Sequence, residues 1–174
     1  MAQLKYYDGS NWVTAIVGAQ GPTGPAGATG IKTVRKSADQ SVTSSTTVVD
    51  DSHLKFAVAA SETYVFQLWL YVAAADSSGD IKITCTGPSG STVLWSAGQV
   101  ILLPDAAQTA GTVQTGGTTA SFFVDGNLRL ITLFGSILNS TTAGDLQLKW
   151  AQNSSSATAT TVKAGSYIYG TKVS

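Results

Sequence analysis

The sequence is poor in the residues that usually build an active site. Its 174 residues hold one cysteine and one histidine. Cys85 stands alone, so an intrachain disulfide is excluded. Its place in the alternating run "DIKITC" reads as a small buried hydrophobe. A catalytic thiol would need a base, and nothing in the sequence pairs Cys85 with His53. His53, beside a strand start, reads as a surface side chain. Charge is equally scarce. Charged residues make up 11% of the chain, with 10 basic and 10 acidic side chains in balance. That is under half of the roughly 25% of an ordinary globular protein. Ser and Thr fill the gap. A neutral chain gives no electrostatic reason to expect nucleic acid or an anionic membrane as partner. No apolar run approaches the roughly 18 residues of a membrane-spanning helix. The longest, from Tyr64 to Ala75, is interrupted by Gln67. The opening "MAQLKYYDGSNWV" lacks the apolar core of a secretory signal, so a soluble protein made in the cytoplasm is expected.

Catalytic motifs are missing in the same way. There is no paired-histidine motif, no phosphate-cradling loop and no strained nucleophile turn. The acids are Asp8, Asp39, Asp50, Asp51, Glu62, Asp76, Asp80, Asp105, Asp125 and Asp145. Most fall at predicted turns, where aspartate caps and bends the chain. A glycosidase pair among them is not singled out by spacing. "DD" at Asp50 and Asp51 and "DSSGD" from Asp76 to Asp80 could each offer oxygens to calcium. Calcium wants six to eight oxygens, more than either supplies, so the turn reading is favoured. No enzyme activity, cofactor or metal is expected.

What the sequence does have is a glycine period. In "GAQGPTGPAGATG" glycine stands at 18, 21, 24, 27 and 30, with Pro22 and Pro25 between. Only glycine fits the crowded axis of three polyproline-II chains, so this period is the signature of a triple helix. A flexible Gly/Pro/Ala/Thr linker is the alternative. Four triplets cannot offset the ordering entropy of three chains unaided. The run therefore implies trimerised domains on both sides of it.

Three zones follow. Residues 1–17 form an aromatic head in which two β-like runs, Leu4 to Tyr7 and Trp12 to Val17, flank a turn at Asp8–Asn11. Such a hairpin is marginal alone. Leu4, Tyr6, Tyr7, Trp12 and Val13 would suit a docking surface. Residues 18–30 are the stalk. Residues 31–174 read as one all-β domain of eight to ten antiparallel strands, a jelly-roll sandwich. "TYVFQLWLYV" is apolar on both faces, as in a strand covered on both sides. "DLQLKW" alternates cleanly, with Leu146, Leu148 and Trp150 on one face. Tyr64, Phe66, Trp69, Leu146, Leu148, Trp150, Tyr167 and Tyr169 are the expected core or trimer-interface residues. Trp95 follows a Gly/Ser turn and is expected to be partly exposed. "AVAAS" near residue 60 is the single candidate for a helical turn. Segments 109–121 and 139–145 read as variable surface loops.

Taken in order, "LKYYDGSNWV", "GAQGPTGPAGATG" and the closing "GDLQLKWAQNSSSATATTVKAGSYIYGTKV" resemble bacteriophage virion fibre and decoration proteins. In these, a collagen-like stalk carries a trimeric jelly-roll head. The plan is also similar to complement-type, tumour-necrosis-factor-like trimers. The resemblance implies a homotrimer on the virion surface, made in the host cytoplasm. Its N-terminus would be held by the major capsid protein or another virion protein. Its head would face outward, with host-surface glycans as a further partner. A 13-residue polyproline-II stalk spans about 40 Å at ~3.1 Å per residue. That short reach suits a capsid decoration protein or head fibre. A receptor-binding adhesin of the tail or baseplate is the second reading, and a glycan-degrading tail spike the third.

Overall fold

In the computed structural model, residues 5–14, 30–75, 80–99 and 112–174 are described. Leu4, Gly18, Gly21, Pro22, Gly24, Pro25, Gly27, Asp76 and Asp105 lie outside them, as do residues 15–17, 100–103 and 109–111 of the expected hairpin, strand and loop. The described residues form β-strands and no helix. The strands are β1 (Lys5–Tyr7), β2 (Trp12–Thr14), β3 (Ile31–Arg35), β4 (Gln40–Val42), β5 (Val49–Val58), β6 (Thr63–Ala74) and β7 (Ile81–Thr86). They continue with β8 (Thr92–Gln99), β9 (Gln114–Thr115), β10 (Ala120–Phe122), β11 (Arg129–Leu138), β12 (Gly144–Gln152), β13 (Thr160–Val162) and β14 (Tyr167–Lys172). The run near residue 60 is a turn, with Ser61 at φ 60°.

The hairpin of β1 and β2 pairs Tyr7 with Trp12 and Tyr6 with Val13. Its turn is set by Asp8, whose Oδ1 accepts the backbone N–H groups of Ser10 at 2.9 Å and Asn11 at 2.8 Å. The Asn11 bond, then that from Ser10, holds this carboxyl below the usual aspartate range. Gly9 takes φ +99°, which a residue with a Cβ rarely adopts.

The remaining strands form two antiparallel sheets. The smaller has the order β10-β7-β12-β5. The larger runs β3-β14-β6-β11-β8-β9, with β13 also on β6 and β4 on β13. Strands β14 and β13 share one edge of β6, the first along Tyr64–Trp69 and the second along Val72–Ala74. Between them Ser166 Oγ accepts from the Tyr71 N–H at 2.9 Å and donates to the Lys163 carbonyl at 2.9 Å. Together the sheets make a β-sandwich. Its core takes Leu54, Phe56, Ile83, Leu146, Leu148 and Trp150 from the smaller sheet. Phe66, Leu68, Ile131, Leu133 and Ile168 enter from the larger.

Three expectations need correction. Trp95 is buried rather than partly exposed, because β8 turns Val93 and Trp95 into the core while Leu94 faces out. Asp51 is no turn residue: it lies within β5 and is buried. The pairing of β5 with β12 shifts between Gln147 and Lys149, opposite residues 51–54. A bulge of this kind re-aims side chains, and here Asp51 turns inward. Segments 109–121 and 139–145 are not loops throughout, since β9, β10 and the start of β12 fall within them. Cys85 is buried, and burial pushes its thiol well above the ordinary range.

Candidate functional site

The alternation of β6 decides the chemistry of the larger sheet. Its even-numbered residues from Tyr64 to Ala74 are buried, so Val65, Gln67, Trp69, Tyr71 and Ala73 face away from the sandwich. Paired residues of antiparallel strands point the same way. The register therefore extends this outward face in rows. One row runs Ile31, Thr171, Val65, Ser136, Leu94 across β3, β14, β6, β11 and β8. The next runs Thr33, Tyr169, Gln67, Phe134, Ser96, and a third Arg35, Tyr167, Trp69, Thr132, Gly98.

These rows mix aromatic and aliphatic side chains with Thr, Ser and Gln, and are nearly uncharged. Ile31, Val65, Leu94, Phe134, Leu138 and Val173 are exposed here, Phe134 at 50%. Trp69 and Tyr167 stack with ring centroids 4.7 Å apart and planes 15° from parallel. Within the rows, Arg35 on the edge strand is the single charged side chain. Aromatic enrichment with depletion of charge marks the centre of protein interfaces.

The eight expected core or interface residues thus separate. Tyr64, Phe66, Leu146, Leu148 and Trp150 are buried in the sandwich. Trp69, Tyr167 and Tyr169 are half-buried on the outward face. Phe134, Leu138, Val65 and Leu94 were not singled out in the sequence. The signal for Phe134 and Leu138 was "LRLITLFGSIL", and for Val65 "TYVFQLWLYV", each apolar on both alternations; Leu94 sits beside Trp95 in "TVLWS".

The end of the domain nearest the glycine run is held by a charged cluster. The Lys172 N–H donates to the Gly30 carbonyl at 3.2 Å. A Cβ on Gly30 would stand 2.8 Å from Lys172 Cβ, so the last glycine of the triplet period is also required by this packing. Lys172 Nζ bonds Glu62 at 2.7 Å, and the Tyr64 hydroxyl donates to the same carboxylate. Lys172, then Tyr64, holds the Glu62 carboxyl below its usual range, and Glu62 raises Lys172 in return. Lys32 Nζ lies 4.9 Å over the Tyr64 ring and donates to the Ala57 carbonyl.

On the hairpin, Tyr6, Tyr7 and Trp12 are exposed, Trp12 at 68%, and Val13 is half-buried. Trp12 and Tyr7 lie with centroids 5.5 Å apart.

Among the described acids, Asp39 pairs with Lys163, Asp50 with Lys149, Asp125 with Arg129 and Asp145 with Lys55. Arg129 first, then Asn127, holds the Asp125 carboxyl far below the usual range. Among the described residues, no group of three His, Cys, Asp or Glu side chains could hold a metal ion. His53 is half-buried between two hydroxyls, Ser52 Oγ at 2.8 Å from Nδ1 and Ser37 Oγ at 3.0 Å from Nε2. Beside it lies a buried ion pair that sequence reasoning missed. Lys36 Nζ sits 2.9 and 2.8 Å from the two carboxylate oxygens of Asp51, both side chains at 0% exposure. No local signal marks it, because the chain meets itself there through the β5 bulge.

No family model matches the chain, and no curated protein matches it. Among solved structures it is similar to a chain of "Structure of infectious bursal disease virus Gx strain", 9% identical, with a TM-score of 0.21. The match covers 82% of this chain and 35% of that one. A TM-score this low carries no argument for fold or function.

Proposed function

We propose that this chain is a trimeric, non-enzymatic virion surface protein, assembled through the outward face of its larger sheet. The observation that carries the reading is that face: rows in which Tyr, Trp, Phe, Leu, Val and Ile are interspersed with Thr, Ser and Gln, with a single charge at the edge, Arg35. The occupant that fits is a second and third copy. The glycine period calls for three chains side by side. Its last glycine, Gly30, is followed at once by Ile31, which belongs to the outward face. Packing through that face would bring three stalk ends together where the period ends.

The connectivity supports a jelly roll. From β5 to β6 and from β6 to β7 the chain crosses between sheets, and it crosses again from β11 to β12 and from β12 onward. The exposed aromatic hairpin fits an anchor in the capsid or another virion protein, with Tyr6, Tyr7 and Trp12 as hot spots. The short stalk favours a capsid decoration protein or head fibre over a tail adhesin. The head would then reinforce the shell or adhere weakly to host glycans. Light scattering on the purified chain at micromolar concentration tests the assembly, and a monomer would overturn it. Imaging of labelled virions then locates the anchor.

A further inference from the structure

The buried pair of Lys36 and Asp51 holds more than an ion pair requires. Lys36 leaves β3 and Asp51 lies at the bulge of β5, so the pair ties the larger sheet to the smaller. Further polar groups surround both members of the pair. Asp51 Oδ1 accepts the backbone N–H groups of His53 at 2.9 Å and Leu54 at 2.9 Å. Asp51 Oδ2 accepts the Trp150 indole N–H at 3.2 Å. Lys36 Nζ donates to Gln40 Oε1 at 3.0 Å and lies 3.3 Å from Ser52 Oγ. Ser52 Oγ is in turn hydrogen-bonded to His53 Nδ1.

We propose that Lys36 and Asp51 condense into an intramolecular amide that covalently joins the two sheets. Two backbone N–H groups aimed at one carboxyl oxygen are the arrangement that stabilises a tetrahedral oxyanion. The reacting groups are held in contact and away from water, which converts a difficult bimolecular step into a unimolecular one. Burying two charges is costly, and condensation removes both.

The step balances within the pair. One ammonium proton passes to Oδ2. The carboxyl turns about its soft χ2 torsion to present Cγ to Nζ. The nitrogen lone pair forms the Nζ–Cγ bond while negative charge develops on Oδ1, facing the His53 and Leu54 N–H groups. The second proton leaves Nζ for the Ser52 hydroxyl, itself hydrogen-bonded to His53, and is passed on to Oδ2, which thereby gains the two protons it needs to leave. The Cγ–Oδ2 bond then breaks and Oδ2 departs as water, its hydroxyl oriented by the Trp150 N–H. Three ammonium hydrogens become one amide hydrogen and two in water, with no net change in charge and no oxidant. The amide N–H remains beside Gln40 Oε1.

The test is the intact mass of the purified full-length chain under denaturing conditions. The expected result is a mass lower than that of the sequence by one water, with a proteolytic fragment joining the peptides of Lys36 and Asp51. Lys36→Arg keeps the charge but cannot form the amide, and should restore the full mass. A wild-type chain at full mass overturns the proposal. So does a water lost equally from wild type and Lys36→Arg, which would place the loss elsewhere. The wild-type measurement decides even if the variant folds poorly, and it does not depend on whether the chain forms trimers.

Discussion

The two sheets of this sandwich share one core and present opposite outer faces. On the smaller sheet the outward side chains include Asp50, Lys55, Lys82, Asp145 and Lys149 among threonines. Lys55 bonds Asp145 at 3.0 Å and Lys149 bonds Asp50 at 2.7 Å. On the larger sheet the corresponding positions are Val65, Trp69, Phe134, Tyr167 and Tyr169. Antiparallel sheets ordinarily keep one face wet and polar. The smaller sheet carries several charges on that face, whereas the outward rows of the larger set aromatic and aliphatic side chains among Thr, Ser and Gln with Arg35 as their one charge. The lesson is that the inner alternation specifies the fold, while the outer alternation is where the two sheets differ.

The sharpest way to break this comparison is to exchange the faces' character. Phe134→Asp places a charge in the middle of rows whose one charge is Arg35 at the edge. It should abolish assembly while leaving the circular dichroism of the β-sandwich intact. Lys55→Glu, on the smaller sheet, should leave the oligomer unchanged. Size-exclusion chromatography with light scattering reads both, and equal behaviour of the two variants would remove the distinction between the faces.

A smaller effect is expected inside the sandwich, common to both faces. Gly135 of β11 lies between Phe66 and Trp95 on the inward side. A Cβ there would stand 2.5 Å from Phe66 Cζ and 2.6 Å from the Leu94 carbonyl oxygen. The backbone cannot yield cheaply, so Gly135→Ala should cost about 1–3 kcal/mol of stability by overpacking. Denaturant unfolding checks it, and an unchanged midpoint would contradict the crowding.

Much of this was legible in the sequence, because period-two alternation is a local signal. "DLQLKW" gave Leu146, Leu148 and Trp150 as inward, and "DIKITC" gave Cys85 as buried; both are so. The hairpin turn at Asp8–Asn11 was legible from turn chemistry. Which of two apolar alternations faces the core was not. In "TYVFQLWLYV" both sides are apolar, and only pairing with β14 and β11 separates Phe66 from Trp69. Trp95 misled because a nearby Gly/Ser turn says nothing about strand parity. Lys36 and Asp51 were invisible as a pair, since a bulge and a third strand carrying Trp150 bring them together.

Where the two sheets meet near Gly30, the cluster of Glu62, Lys172 and Tyr64 predicts a pH response. The Glu62 carboxyl is depressed on folding. Its contribution is therefore present above the ordinary glutamate range and lost as pH falls through the lower folded value. Lys172 is raised, so its contribution is fully present below the ordinary lysine range and is lost as pH rises through the higher folded value. Thermal unfolding followed from neutral into acid should show a loss that Glu62→Gln reduces. An identical acid slope in the variant would exclude Glu62 as a source.

The least effect belongs to the ion pairs of the smaller sheet, and its smallness separates the two faces. Lys55 and Asp145 each keep much of their exposure, as does Asp50 opposite Lys149. Exposed pairs gain little, because water screens the attraction and holding two long side chains in place costs entropy. Replacing Lys55 and Asp145 together by Gln and Asn should shift stability by about 0.2–1 kcal/mol. The difference should shrink further in added salt, since the Debye length falls to about 3 Å at 1 M. Assembly should be untouched at either ionic strength. A larger loss, or a change in oligomeric state, would mean that the charged face is not simply solvated but meets a partner of its own.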